Sequence, residues 1–129
     1  MKRKPRTPRK KAVDEADKYM SLYIREKTRQ EYGNCPFCKV KPVMHNFHFF
    51  SRVSYSTRWD ELNCIGSCDS CNMQMEFHPY PFYKWFADHY GQFALDELNR
   101  KHNQIAKLCT YEIEAIAEKF KTMYNGLKK

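Results

Sequence analysis

Asn34 to Asn72 reads NCPFCKVKPVMHNFHFFSRVSYSTRWDELNCIGSCDSCN, a stretch bounded by two Cys-x-x-Cys pairs. Cys35-Pro36-Phe37-Cys38 and Cys68-Asp69-Ser70-Cys71 are separated by 29 residues. That spacing lets one pair sit on a tight turn while the chain returns the other at the start of a helix. Four thiolates then close a tetrahedral site, the geometry of structural zinc. No apolar run is long enough to span a bilayer and no secretory signal pattern opens the chain, so the expected location is a reducing cytoplasm. There, paired cysteines read as metal ligands before disulfides. Cys64 and Cys109 stand alone and read as buried small hydrophobes, with Cys64, one helical turn before Cys68, an alternative zinc ligand.

Outward from this stretch the pattern is helical. Ala16, Tyr19, Met20, Tyr23 and Ile24 share one face of a helix expected from Asp14 to Tyr32, capped by Asp14 and Asp17 and ended by Gly33. Phe47 to Tyr55 reads as a small hairpin and a short helix is expected near the second cysteine pair. Pro81 suits the first turn of another helix, with Phe82, Trp85, Phe86 and Tyr90 on one face and Gly91 at its end. Further helices are expected from Phe93 to Leu108 and after Thr110, which is expected to cap the last one, where Ile113, Ile116, Ala117, Phe120, Met123, Tyr124 and Leu127 keep helical spacing. The fold class is therefore α+β and mostly helical, with a zinc-stabilised ββα unit among flanking helices.

The 129 residues suit one domain, and a small core benefits from a metal staple. The formal charge of +8 comes from 23 basic and 15 acidic residues. Lys2, Arg3, Lys4, Arg6, Arg9, Lys10 and Lys11 hold seven of those cations with no acid between them, leaving 16 against 15 in the rest. With Pro5 and Pro8, residues 1–12 read as a disordered basic tail and residues 13–129 as the folded domain. Such a tail suits phosphate contact with nucleic acid or, alternatively, only solubility.

A second constellation lies between the cysteine pairs: His48 in Asn-Phe-His-Phe-Phe-Ser-Arg, Asn63 in Glu-Leu-Asn-Cys, and Asn72 directly after Cys71. Histidine, asparagine, then asparagine beside the second pair resembles the HNH, or ββα-metal, nuclease motif. More closely, the chain resembles the phage lambda NinG/Rap recombination proteins. The matching residues are Cys35 and Cys38, His48-Phe49-x-Ser51-Arg52, Arg58-x-Asp60-Glu61-x-Asn63, Cys68-x-x-Cys71-Asn72, and Asn103-Gln104-Ile105, over roughly residues 18–125.

The resemblance implies an endonuclease acting on branched DNA, such as a Holliday junction, during recombination. By residue matching His48 is the general base, with an ordinary pKa of ~6.5 that suits neutral pH. Asn72 ligates a divalent cation, Mg²⁺ or Mn²⁺, and Asn63 braces the loop carrying His48. Arg52 and Arg58 contact phosphates. Many HNH proteins have Asp immediately before the histidine as a second cation ligand; this chain has Phe47, and NinG-like proteins tend to have glycine. His45 is the candidate replacement, and Glu76 and His78 follow Asn72 where the family has lysine, serine and glycine. His89 and His102 receive no role.

Two other functions fit the same residues. A zinc-stabilised DNA- or RNA-binding module would keep the fold with a non-catalytic centre. A protein-interaction scaffold would use the aromatic segment Phe77 to Tyr90. A junction nuclease benefits from two centres, so a homodimer is expected as a partner arrangement beside DNA, with no membrane.

Overall fold

The computed structural model describes residues 4–128, so Lys2 and Arg3 of the expected tail lie outside the described residues. The first helix, α1, spans Pro8–Tyr32. Thr7 caps it, its hydroxyl accepting the Lys10 N–H at 3.1 Å, and Pro8 occupies the first turn, where a missing N–H costs nothing. Gly33 ends it at φ 80°, a backbone conformation that favours glycine. Residues 8–12 are therefore helical, and Ala12 and Val13 are buried, which corrects the tail boundary expected at residue 12. The expected caps have other partners. Asp14 pairs with Arg6 and Lys10, and Asp17 faces inward to Arg58.

The sheet has two antiparallel strands, β1 (His45–His48) and β2 (Cys64–Ser67), with His48 opposite Cys64 and Phe47 opposite Ile65. The hairpin expected over 47–55 does not form, because β1 pairs across a long connection. Residues 49–63 carry a one-turn helix, α2 (Tyr55–Arg58), and a 3-10 turn (Glu61–Asn63). Immediately after β2, Cys68 caps α3 (Asp69–Phe77), so strand, strand and helix follow in the expected order. Then come α4 (Tyr80–Tyr90), α5 (Gln92–His102) and α6 (Thr110–Leu127). Mostly helical with one small sheet, the chain is α+β as expected.

Two expected helix bounds move. α5 stops at His102 rather than Leu108, since the Ser54 hydroxyl takes the His102 carbonyl at 2.7 Å and the imidazole stacks on Phe50. A C-terminal carbonyl satisfied by a side chain needs no further helical turn. Cys109, not Thr110, caps α6. It is exposed rather than buried, and its N–H donates to the Glu112 carboxylate.

The sheet separates two cores. On one side α1 and α6 run parallel, as Arg9 donates to the Leu108 carbonyl and Gln30 to that of Leu127. Ala16, Met20 and Ile24 pack there against Ile113, Ala117 and Phe120, with Trp59 and Cys64. On the other side Phe47, Phe49 and Ile65 pack against Phe82, Phe86 and Leu98, beside Cys35, Cys68 and Cys71. Cys64 and Ile65 point to opposite cores because successive strand residues alternate. The polar edge left between α1, β1 and α3 is where the chemistry gathers.

Candidate metal centre and histidine cleft

The Cys35–Cys38 turn closes on itself: the Cys35 N–H donates to the Lys41 carbonyl and the Lys39 N–H to the Cys35 carbonyl, both at 2.8 Å. Lys39 takes φ 65° to complete that turn. The sulfurs of Cys35, Cys38, Cys68 and Cys71 lie within 4.8 Å of one another, and those of Cys38 and Cys68 are 3.7 Å apart. Tetrahedral zinc with ~2.3 Å bonds separates its sulfurs by ~3.8 Å, so the geometry suits the ion. The four cysteines can hold a metal such as zinc. Backbone N–H groups of Lys41 and Val40 draw the Cys38 thiol down to about 6. Burial pushes Cys68 and Cys71 up, so a cation is what would hold those sulfurs as thiolates. Cys64 is not a substitute ligand. It sits in the α1–α6 core across the sheet, where burial pushes its thiol well up.

Beside Cys71 on α3 a cleft of about 770 Å³ is lined by His45, His48, Arg52, Asn72 and Glu76, with Asp17 and Ser21 of α1. Strand β1 supplies the histidines, and the first two turns of α3 supply Asn72 and Glu76. These last two are four residues apart and so share a helix face. An amide oxygen and a carboxylate form a hard-oxygen donor set of the kind that Mg²⁺ or Mn²⁺ accepts.

His48 Nε2 lies 3.2 Å from the Arg58 carbonyl. A carbonyl only accepts, so this contact favours the tautomer with the proton on Nε2 and the lone pair on Nδ1. Burial holds the imidazole below its ordinary value, helped by the Arg52 charge and opposed by the Arg58 carbonyl, the Asp17 charge and the Asn46 carbonyl. The ring is thus kept neutral and able to take a proton near neutral pH.

Asn63 is fully buried and ties down the segment after His48. It accepts the Phe50 N–H at 2.8 Å and donates to the carbonyls of Phe50 at 2.9 Å and Thr57 at 3.1 Å.

Other expected site residues fall elsewhere. Arg58 is not free for phosphate, since Asp17 holds its guanidinium through Nε at 3.0 Å and Nη2 at 2.5 Å. Arg52 lines the cleft and makes no ion pair among the described residues. His45 reaches the cleft, but its Nε2 is 2.7 Å from the Asp69 carboxylate. Phe47 is fully buried against Phe37, Phe49 and Phe82, so β1 presents no carboxylate there. His78 lies outside the cleft at the end of α3.

In the basic segment Lys4 and Lys11 are exposed, while Arg6 and Lys10 share Asp14 and Arg9 reaches the Leu108 carbonyl. Of the aromatic segment, Phe77 and Tyr80 are exposed whereas Phe82 and Phe86 belong to the core. No helix among the described residues is long and apolar enough to cross a membrane.

Sequence reasoning missed Asp17 as part of the cleft. Its signal was a carboxylate directly after buried Ala16, on a helix flank turned toward the core. No protein family, curated protein or solved structure matches the chain.

Proposed function

We propose that this chain is a metal-dependent endonuclease of the HNH kind, acting on branched DNA as its resemblance to the NinG/Rap proteins implies. One observation carries the reading: a neutral, half-buried His48 shares one cleft with an α3 face bearing Asn72 and Glu76. Zinc held by the four cysteines would fix β2 to the 35–38 turn and set the start of α3. His48 would take the proton of an attacking water at Nδ1 as the water oxygen bonds to phosphorus and the bond to the leaving oxygen breaks. Asn72 and Glu76 would hold Mg²⁺ or Mn²⁺, which supplies positive charge against the phosphate and the leaving oxygen. Arg52 would orient the phosphate. The test is cleavage of a four-way junction, a flap and linear duplex by zinc-loaded protein, with and without Mg²⁺ or Mn²⁺. Cutting that requires the added cation and disappears in His48→Ala supports the reading.

The burial of Phe47 favours one alternative, a zinc-stabilised nucleic-acid-binding module with a non-catalytic centre. Such a protein would bind the same DNA and never cut it with any divalent metal.

A further inference from the structure

The cleft histidine is held by a backbone carbonyl, and that carbonyl belongs to a segment with little stability of its own. Arg58 ends α2, a helix of only four residues whose N-cap side chain makes no capping bond. A single turn does not persist without tertiary support. Its last carbonyl, unsatisfied within the helix, is the one facing His48 Nε2 at 3.2 Å.

From the α1 side, support for that end of α2 converges on one carboxylate. Asp17 Oδ1 accepts Arg58 Nε at 3.0 Å and Trp59 Nε1 at 2.9 Å, while Oδ2 accepts Arg58 Nη2. The guanidinium is flanked by the rings of Tyr55 and Trp59, at 5.6 and 5.3 Å, and its Nη1 donates to the Arg52 carbonyl at 3.2 Å. The ion pair is largely shielded, with side-chain exposures of 15% for Arg58 and 27% for Asp17, so it is screened less than a surface pair. A planar fork held at both nitrogens fixes orientation as well as position.

We propose that Asp17 is a positioning residue for His48: through the Arg58 guanidinium it fixes the backbone carbonyl that selects the imidazole's tautomer and orientation. The inference deepens the nuclease reading and rests on it for its effect on rate, but not for its effect on the ring. The charged groups around His48 are Asp17 from α1, Arg52 from the connection and Glu76 from α3, and the Asn46 carbonyl is a second backbone partner of the ring. Without Asp17 the guanidinium keeps one backbone partner, and the Arg58 carbonyl loses its anchor to α1. The imidazole can then place its proton on either nitrogen, and only one arrangement leaves Nδ1 able to accept.

The experiment uses the full, zinc-loaded chain with Asp17→Asn, and Arg58→Gln to remove the same pair from its other side. Imidazole ¹⁵N shifts report the His48 tautomer without any substrate. Wild type is expected to show the Nε2–H form, and both variants a mixture. With DNA, kcat falls roughly 10–100-fold, as on loss of an outer-shell partner, while KM is retained. A purely structural pair would lower the melting temperature in both variants yet leave the tautomer and the kcat of folded protein unchanged; that result overturns the inference. If wild type never cuts DNA, the nuclease reading fails and the ¹⁵N shifts alone decide the role of Asp17.

Discussion

Asn63 and Phe50 hold each other reciprocally: the amide oxygen accepts the Phe50 N–H at 2.8 Å and the amide nitrogen donates to the Phe50 carbonyl at 2.9 Å. One side chain thus supplies both bonds that a neighbouring strand residue would supply, just where β1 has ended. Asn63→Ala leaves both Phe50 groups without that partner, while the Thr57 carbonyl keeps the Asp60 N–H at 3.2 Å. A cost of about 2–4 kcal/mol is expected, since each unsatisfied group carries about 1–3 kcal/mol. Asn63→Asp should be at least as damaging, because it also buries a charge facing two carbonyls. Urea unfolding of the zinc-loaded proteins measures both, and a loss below ~1 kcal/mol would show that the bracing is weak.

The cysteine cluster predicts a division among the six cysteines. Cys38→Ser and Cys71→Ser should lose bound metal and most of the folded state, as structural zinc contributes on the order of 10 kcal/mol. Cys64→Ser should keep the metal and lose about 1–3 kcal/mol by placing a hydroxyl in the α1–α6 core. Cys109→Ser, at an exposed helix cap, should change little. Elemental analysis should find about one zinc per chain in wild type. Metal-free protein that still melts cooperatively at the same temperature contradicts this account.

Gly66 is pressed between two elements. A Cβ there would lie 2.5 Å from Val43 Cγ1 and 2.9 Å from Thr28 Cβ and Oγ1. The Gly66 N–H also donates to Thr28 Oγ1 at 2.8 Å, joining β2 to α1. Gly66→Ala should therefore cost about 1–3 kcal/mol or more through overpacking. Gly126→Ala meets nothing within 4 Å and lies in α6, so it should stabilise by up to about 1 kcal/mol. Opposite signs from the same substitution are the expected result in thermal melts.

How much of this was legible depends on how far apart the partners lie in sequence. The cysteine pairs were legible because each is local, and only the closure between them is long-range. The stripes of α1, α4 and α6 were legible because burial repeats with the helical period. The sheet was read less well, since Phe47 to Tyr55 has strand-forming residues yet the partner of Phe47 is Ile65. Arg58 looked free because its partner Asp17 lies 41 positions away, on a helix whose polar residues read as solvent-facing. Helix ends set by tertiary contacts, such as His102 against Ser54, leave no local signal either.

The depressed pKa of His48 has two consequences of definite sign. Burial lowers the folded value below the ordinary 6.5, so between the two values the unfolded chain binds more protons. The contribution of His48 to stability is then full above pH 6.5 and is lost as pH falls from there through the folded value. His48→Gln should flatten that part of the stability–pH curve. If His48 is the proposed base, the acid limb of kcat/KM should have its midpoint below 6.5. A midpoint clearly above 6.5 would exclude His48 as the group titrating in that limb.

On the proposed function, the divided α3 would make two metal requirements separable. Its N-terminal cysteines serve the sulfur cluster, whereas Asn72 and Glu76 open into the cleft. His48→Ala should abolish cutting while zinc content, melting temperature and DNA affinity stay near wild type, a loss of ~10²–10⁴-fold in rate. Asn72→Ala and Glu76→Gln should raise the Mg²⁺ or Mn²⁺ concentration needed for half-maximal rate, and excess cation should restore part of it, because weakened ligation is offset by mass action. His45→Ala separates two roles: a similar cation dependence would make it a ligand, and unchanged kinetics would leave it as the partner of Asp69. A chelator added in small excess should stop cutting before zinc leaves, since the oxygen site has fewer and harder donors than four thiolates. Glu76→Gln with wild-type cation dependence would remove Glu76 from the site. DNA cutting by His48→Ala at the wild-type rate would remove His48 as the base.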